Sequence, residues 1–157
     1  MAGKEFDFIK ELGELPKLDE VKKRLERVNT FSSASSEIKE SLYLYAAAIA
    51  KQMSADVTPT QLRRYYSYIK SIELVNRDQK DDAPQIIDKY KLSFLLPKIA
   101  GSSERKKLES LYDVMKVCLS NNNGGKIKTV ADLRLFVEFF EAILDYHASI
   151  EKSVNHN

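Results

Sequence analysis

Residues 129–150, TVADLRLFVEFFEAILDYHASI, read as one long helix, and that helix decides the fold. Thr129 is placed to cap its first turn, and Asp132, three residues on, completes a capping box. From Val130 to Ile150 apolar side chains run round most of the circumference. Only Arg134, Glu138, Glu141 and Asp145 mark a narrow polar strip. A helix apolar on nearly every side must be covered on nearly every side. This one therefore belongs at the centre of a helical bundle, with one side available to a partner protein or a second copy of the chain.

Working back from it, helical spacing recurs along the whole chain. An N-terminal piece over Glu5–Leu12 precedes a helix in which Leu18, Val21, Leu25 and Val28 share a face. The serine-rich linker Ser32–Ser36 ends it. A second helix is expected over Glu37–Met53, burying Ile38, Leu42, Tyr45, Ala46, Ile49 and Met53. The third has the clearest start: Thr58 as N-cap, Pro59 as first helical residue and Gln61 three positions on. It should run to about Asn76. A fourth helix is expected from Pro84 to before Pro97, with Ile86, Ile87, Tyr90 and Phe94 pointing inward. A fifth should be capped by Ser103 and run from Glu104 to about Asn121, where NNNGG stops it. The spacing predicts an all-α, single-domain bundle of five to six helices, with residues 1–35 an N-terminal helical extension and 36–152 the bundle.

Composition narrows the function classes. The chain has 157 residues, 43% hydrophobic and 31% charged, with five glycines and four prolines, which suits a packed domain rather than a disordered one. Its longest aliphatic run, Ala46–Ala50, is far short of the roughly 20 residues that span a bilayer. No membrane role is expected, and the acidic N-terminus lacks the apolar core of a signal peptide. One cysteine, Cys118, makes neither an internal disulfide nor a zinc site and reads as a core residue. A cytoplasmic location follows as an expectation.

Catalysis is not indicated. Of two histidines, His156 sits in the tail and His147 on the apolar face of the last helix, where a core role fits best. The chain contains no HExxH, paired-cysteine or P-loop motif. Glu138, Glu141 and Asp145 share a face, the best case for a metal, but hard cations usually draw ligands from more than one element. No cofactor is expected.

Charge distribution points elsewhere. The net charge is +2, but residues 1–57 contribute −1, residues 58–134 contribute +6 and residues 135–157 contribute −3. Within the basic middle, Arg63, Lys70 and Arg77 recur every seven residues on the flank of the third helix. They lie along a line of about 21 Å, given the rise of an α-helix. Arg64 extends the patch round the helix, and Lys98, Arg105, Lys106, Lys126 and Lys128 lie beyond it. A nucleic-acid backbone is a line of anions, and cations in a row track it better than cations in a pocket. Arginine adds bidentate phosphate geometry. Tyr65, Tyr66 and Tyr68 offer rings for bases, although the spacing of the first two suits the core. The competing reading is a protein–protein adaptor docking through the apolar last helix.

Three segments resemble a known family. Thr58–Tyr66, TPTQLRRYY, is similar to the TxxQLR(K/R)(F/Y) opening of the Csm small subunit of type III-A CRISPR effector complexes. Ile86–Gly101, IIDKYKLSFLLPKIAG, resembles that family's segment ending L-x-P-K-(L/I)-A, and Phe136–His147, FVEFFEAILDYH, its closing FxxFFEAIxAYH pattern. The order agrees too. Asp145 stands where the pattern has alanine, and Gly101 where an aromatic is usual. The first 35 residues match nothing in it. The resemblance implies a helical, non-catalytic subunit present in more than one copy beside the crRNA-binding backbone and other Csm effector subunits. Its basic face would line the groove holding crRNA and target RNA. RNA cleavage would belong to the backbone subunit; DNase action and cyclic-oligoadenylate synthesis would belong to the large subunit. The matched motif carries over Arg63 and Arg64 as nucleic-acid contacts, with Lys98 a weaker case. Sequence would be read by the guide, so binding should tolerate any sequence.

Overall fold

The computed structural model of the chain describes residues 6–53, 57–103, 105–120 and 125–154, the last four as helical backbone only. Among them are six α-helices and no strand: α1 (Leu18–Glu26), α2 (Ser36–Met53), α3 (Pro59–Val75), α4 (Leu95–Ala100), α5 (Glu109–Leu119) and α6 (Val130–Val154). Short 3-10 turns cover Lys10–Leu12 and Lys89–Leu92.

The long apolar helix is central, as its composition requires. α6 packs against both α2 and α3. Leu133, Phe136, Phe140 and Ile143 are fully buried. The Ala46–Ala50 run of α2 is buried as well, and its small side chains let α2 approach a helix crowded with phenylalanines. α1 packs on α5 and α2, and Val21, Leu25 and Phe31 belong to the same core as α6. Phe31 meets Phe136 edge-on, 5.8 Å between centroids. Residues 18–31 are thus part of the bundle's packing. Cys118 is buried as expected, and burial pushes its thiol up to about 12.

The start of α6 is held by a cluster of hydrogen bonds. Thr129 Oγ1 accepts the Asp132 N–H at 3.3 Å, and Asp132 returns the bond to Thr129 N at 2.9 Å, the reciprocal box read from sequence. Asp132 also accepts from Lys128 N at 2.9 Å and from Ser32 N, in the distant linker, at 2.7 Å. Burial alone would raise the Asp132 carboxyl, but these N–H donors outweigh it and hold the group below the usual carboxylate range. Gly125 supplies the left-handed turn (φ 76°) before this helix.

Arg134 departs from the solvated polar strip. Its guanidinium bonds Asp81 and donates to the carbonyls of Gln79 (2.9 Å), Arg77 (3.1 Å) and Asn76 (3.4 Å). The C-terminal end of α3 is thereby bolted to the N-terminal end of α6. At the other end Tyr66 donates to Glu141 at 2.7 Å, so the two helices run antiparallel.

Several expected boundaries shift. Only Lys10–Leu12 of the N-terminal piece is helical among the described residues. α5 begins at Glu109, with no side-chain cap, and residues 105–108 before it form turns that bury Leu108. The expected Glu104 start and Asn121 end lie outside the described residues. The fourth helix differs most. Residues 84–88 are not helical, and Asp88 takes the left-handed conformation (φ 60°), which stops any helix through it. Ile86 is buried, but Ile87, Tyr90 and Phe94 are exposed, not inward. Pro97, expected after the helix, is the third residue of α4, where no intrahelical donor is needed.

Candidate nucleic-acid interface

Two flanks of α3 display its cations differently. Arg63 and Arg64 are both exposed, one to two turns inside the capped start, and among the described residues neither forms a salt bridge. The first turn of α3 contains no acidic residue, so nothing there offsets its positive helix end. The Thr58 cap is real: its Oγ1 accepts Gln61 N at 3.2 Å. The Gln61 side chain, however, does not turn back to close the box. It donates to Ser102, beyond α4, and so joins the start of α3 to the end of α4.

The Arg63 flank faces α6. Asp145 there is pushed up by burial and by neighbouring Glu141, with Arg63 pulling the other way. Tyr66 lies between, stacked on Phe140 and bonded to Glu141; burial first, then that bond, push its hydroxyl up to about 12. The seven-residue stripe is therefore interrupted. Lys70 is paired with Glu73 of its own helix at 2.6 Å. Arg77 is exposed but lies past the helix end at Val75, in the turn that Arg134 grips. A straight 21 Å row needed an unbroken helix through position 77.

The Arg64 flank is different. One turn on, Tyr68 donates to Lys91 O at 2.7 Å, and the Lys98 ammonium sits 4.7 Å from the Tyr68 ring centroid. Arg105 N donates to Ser102 O, placing Arg105 beside the same junction. Arg64 is thus one turn from Tyr68, which Lys98 covers, while Arg105 and Lys106 are exposed in the turn after α4. Lys128 is exposed at the far end, before α6.

Lys126 has different partners from the expected phosphate. Its ammonium donates to Val28 O at 2.6 Å and Glu26 O at 3.1 Å, satisfying carbonyls at the C-terminal end of α1. Partial burial holds its pKa below the usual lysine range. Lys126→Met should cost about 1 kcal/mol of stability and leave the salt dependence of RNA binding unchanged, as thermal melts and titrations in rising salt would register.

Tyr68 is the one of the three tyrosines of α3 whose ring was expected to stay available, whereas Tyr90 and Phe94, expected inward, are exposed surface candidates that the spacing does not single out. The available signal for these two was the placing of Tyr90 between Lys89 and Lys91, with Phe94 one turn further on. Among the described residues no three metal-ligating side chains converge, and Glu141 is engaged by Tyr66. No described helix is long and apolar enough to cross a membrane.

These features define a small all-helical subunit whose distinctive surface is a cationic helix flank rather than a cleft lined with titrating groups. A family model for Csm2 Type III-A matches residues 36–153. The chain belongs to that family, the small subunits of type III-A CRISPR effector complexes. Comparisons with curated proteins and with solved structures return no match. The family match begins at Ser36, where α2 begins, so α1 lies outside it while sharing its core.

Proposed function

We propose that this subunit binds RNA in the type III-A complex, lining the groove that holds crRNA and target RNA and contributing no catalytic group. On this reading it acts in the cytoplasm in antiviral defence, alongside the other Csm subunits and further copies of itself. The observation that carries the proposal is the pair Arg63 and Arg64, exposed at a capped helix start and free of salt bridges among the described residues. Arg64, Lys98 and Arg105 are the principal contacts with phosphate, together with Arg63 at the α6 seam. Lys106, Arg77 and Lys128 are peripheral, and Lys70 takes part only by releasing Glu73. The adaptor reading relied on an uncovered face of α6, and α2 and α3 occupy much of that helix.

The test is salt dependence. Affinity for single-stranded RNA should fall steeply between about 50 and 200 mM salt, because each phosphate contact releases a counterion. The RNA should be recovered intact from the same incubations in Mg²⁺. Affinity indifferent to salt would return the adaptor reading. Cleavage abolished by Glu141→Ala would replace both with an enzyme.

A further inference from the structure

Tyr90 and Phe94 are 64% and 52% exposed, an unusual position for two large rings, and their exposure is built into the fold. Asn76, wholly buried at the end of α3, holds Ile87 by both main-chain groups. Its Nδ2 donates to Ile87 O at 3.1 Å and its Oδ1 accepts Ile87 N at 2.8 Å. A few residues on, the Tyr68 hydroxyl anchors Lys91 O. Between these anchors Asp88 takes its left-handed conformation and pairs with Lys91 at 3.3 Å. With both ends tied to α3, the segment is set with Tyr90 turned away from the core, and Phe94, three residues past Lys91, is exposed beside it. Tyr90 and Phe94 stand perpendicular, 6.1 Å between centroids.

Cations continue the line. Lys98 lies one turn beyond Phe94, its N–H bonded to Phe94 O, and its ammonium covers Tyr68. Arg64 lies one turn before Tyr68 on α3. Tyr90, Phe94, Lys98, Tyr68 and Arg64 thus form a row that passes from rings to cations, with exposed Lys89 at its edge. The carboxylate within this segment, Asp88, is already matched by Lys91. Rings for flat faces and cations for a polyanion together fit unpaired nucleotides better than the apolar face of a protein.

We propose that this row is a track for single-stranded RNA, in which unpaired bases stack on Tyr90 and Phe94 and the adjoining phosphates run over Lys98 toward Arg64. The proposal rests on the RNA-binding reading above and adds to it the strand type and the rings. Stacking is indifferent to base identity, so the track takes any sequence.

The test is the full chain with Tyr90→Leu and Phe94→Leu together, which keeps apolar area and removes the rings. Both side chains are exposed, and an unchanged melting curve confirms the fold. By anisotropy with a labelled single-stranded oligoribonucleotide, affinity should fall about tenfold or more, with the slope against salt unchanged because no phosphate contact is removed. Affinity for fully double-stranded RNA should stay the same. Wild-type affinity of the leucine variant for the single strand, or an equal loss for duplex, overturns the track alone. Absence of salt-dependent RNA binding by the wild type overturns both the track and the reading beneath it. Normal RNA binding by the leucine variant, with Tyr90→Asp and Phe94→Asp blocking assembly with purified partner subunits, would assign the patch to a protein instead.

Discussion

Arg63→Ala combined with Arg64→Ala should weaken single-stranded RNA binding by about thirtyfold near physiological salt, while the melting temperature moves by no more than about 2 °C. The affinity figure follows from about 1 kcal/mol for each exposed cation–phosphate contact, two such contacts together giving about 2 kcal/mol. The slope of log affinity against log salt should become shallower by about two, since two counterions fewer are released. The small effect on folding follows from exposure: neither side chain forms a salt bridge among the described residues, and surface changes of this kind usually stay within about 0.5 kcal/mol. Arg63→Ala and Arg64→Ala singly should each lose about fivefold, half of the combined free energy. Equal RNA affinity in the double variant and the wild type would remove the basis of the RNA-binding proposal.

Asp132→Ala should destabilise the protein by about 3 kcal/mol, more than the loss of an ordinary cap, because three main-chain donors lose a charged acceptor at once. For a chain of this size that is a fall of roughly 6–12 °C in melting temperature. One of those donors, Ser32 N, lies a hundred residues away, so the substitution also loosens the linker between α1 and α2 from the start of α6. The pH dependence has a definite sign. The folded carboxyl titrates below its unfolded value, so its stabilisation is complete above about pH 4 and is lost as pH falls through the lower, folded value. Between about pH 4 and pH 2 the wild type should lose more stability than Asp132→Asn, which has no carboxylate to protonate. Denaturant titrations at stepped pH measure this. Parallel curves for the two proteins would show that the carboxylate charge contributes nothing to this junction.

Much of the fold was legible because α-helices announce themselves locally. The start of α3 at Pro59 and the start of α6 at Val130 follow from caps within three residues of each, and the span of α2 follows from its spacing of apolar positions and the serines before it. The central place of α6 needed no tertiary information, since hardly any of its circumference tolerates water. The core assignments of Tyr65 and Cys118 were likewise local inferences that burial supports. The family, too, was visible in three short segments, and the matched region contains all three.

What could not be read locally were choices made between distant partners. Gln61 looked like half of a capping box and instead reaches Ser102, because α4 ends beside the start of α3. Arg134 looked solvated and instead holds three carbonyls of the turn after α3. Lys70 and Lys126 were cations in a list until Glu73 and the end of α1 supplied their partners. The residues 84–94 were the clearest case. Their apolar spacing fits an inward helix, but Asn76 and Tyr68 hold the main chain of that segment by hydrogen bonds that periodicity does not encode, and Tyr90 and Phe94 face outward.

The chain's own residues therefore settled that it is all-helical, which helix lies at the centre and where the caps fall, because hydrophobic periodicity and capping act within a few residues. The tertiary structure alone decided which cations stay exposed and which rings face water, because a side chain's partner is whatever the packed helices bring within hydrogen-bonding reach.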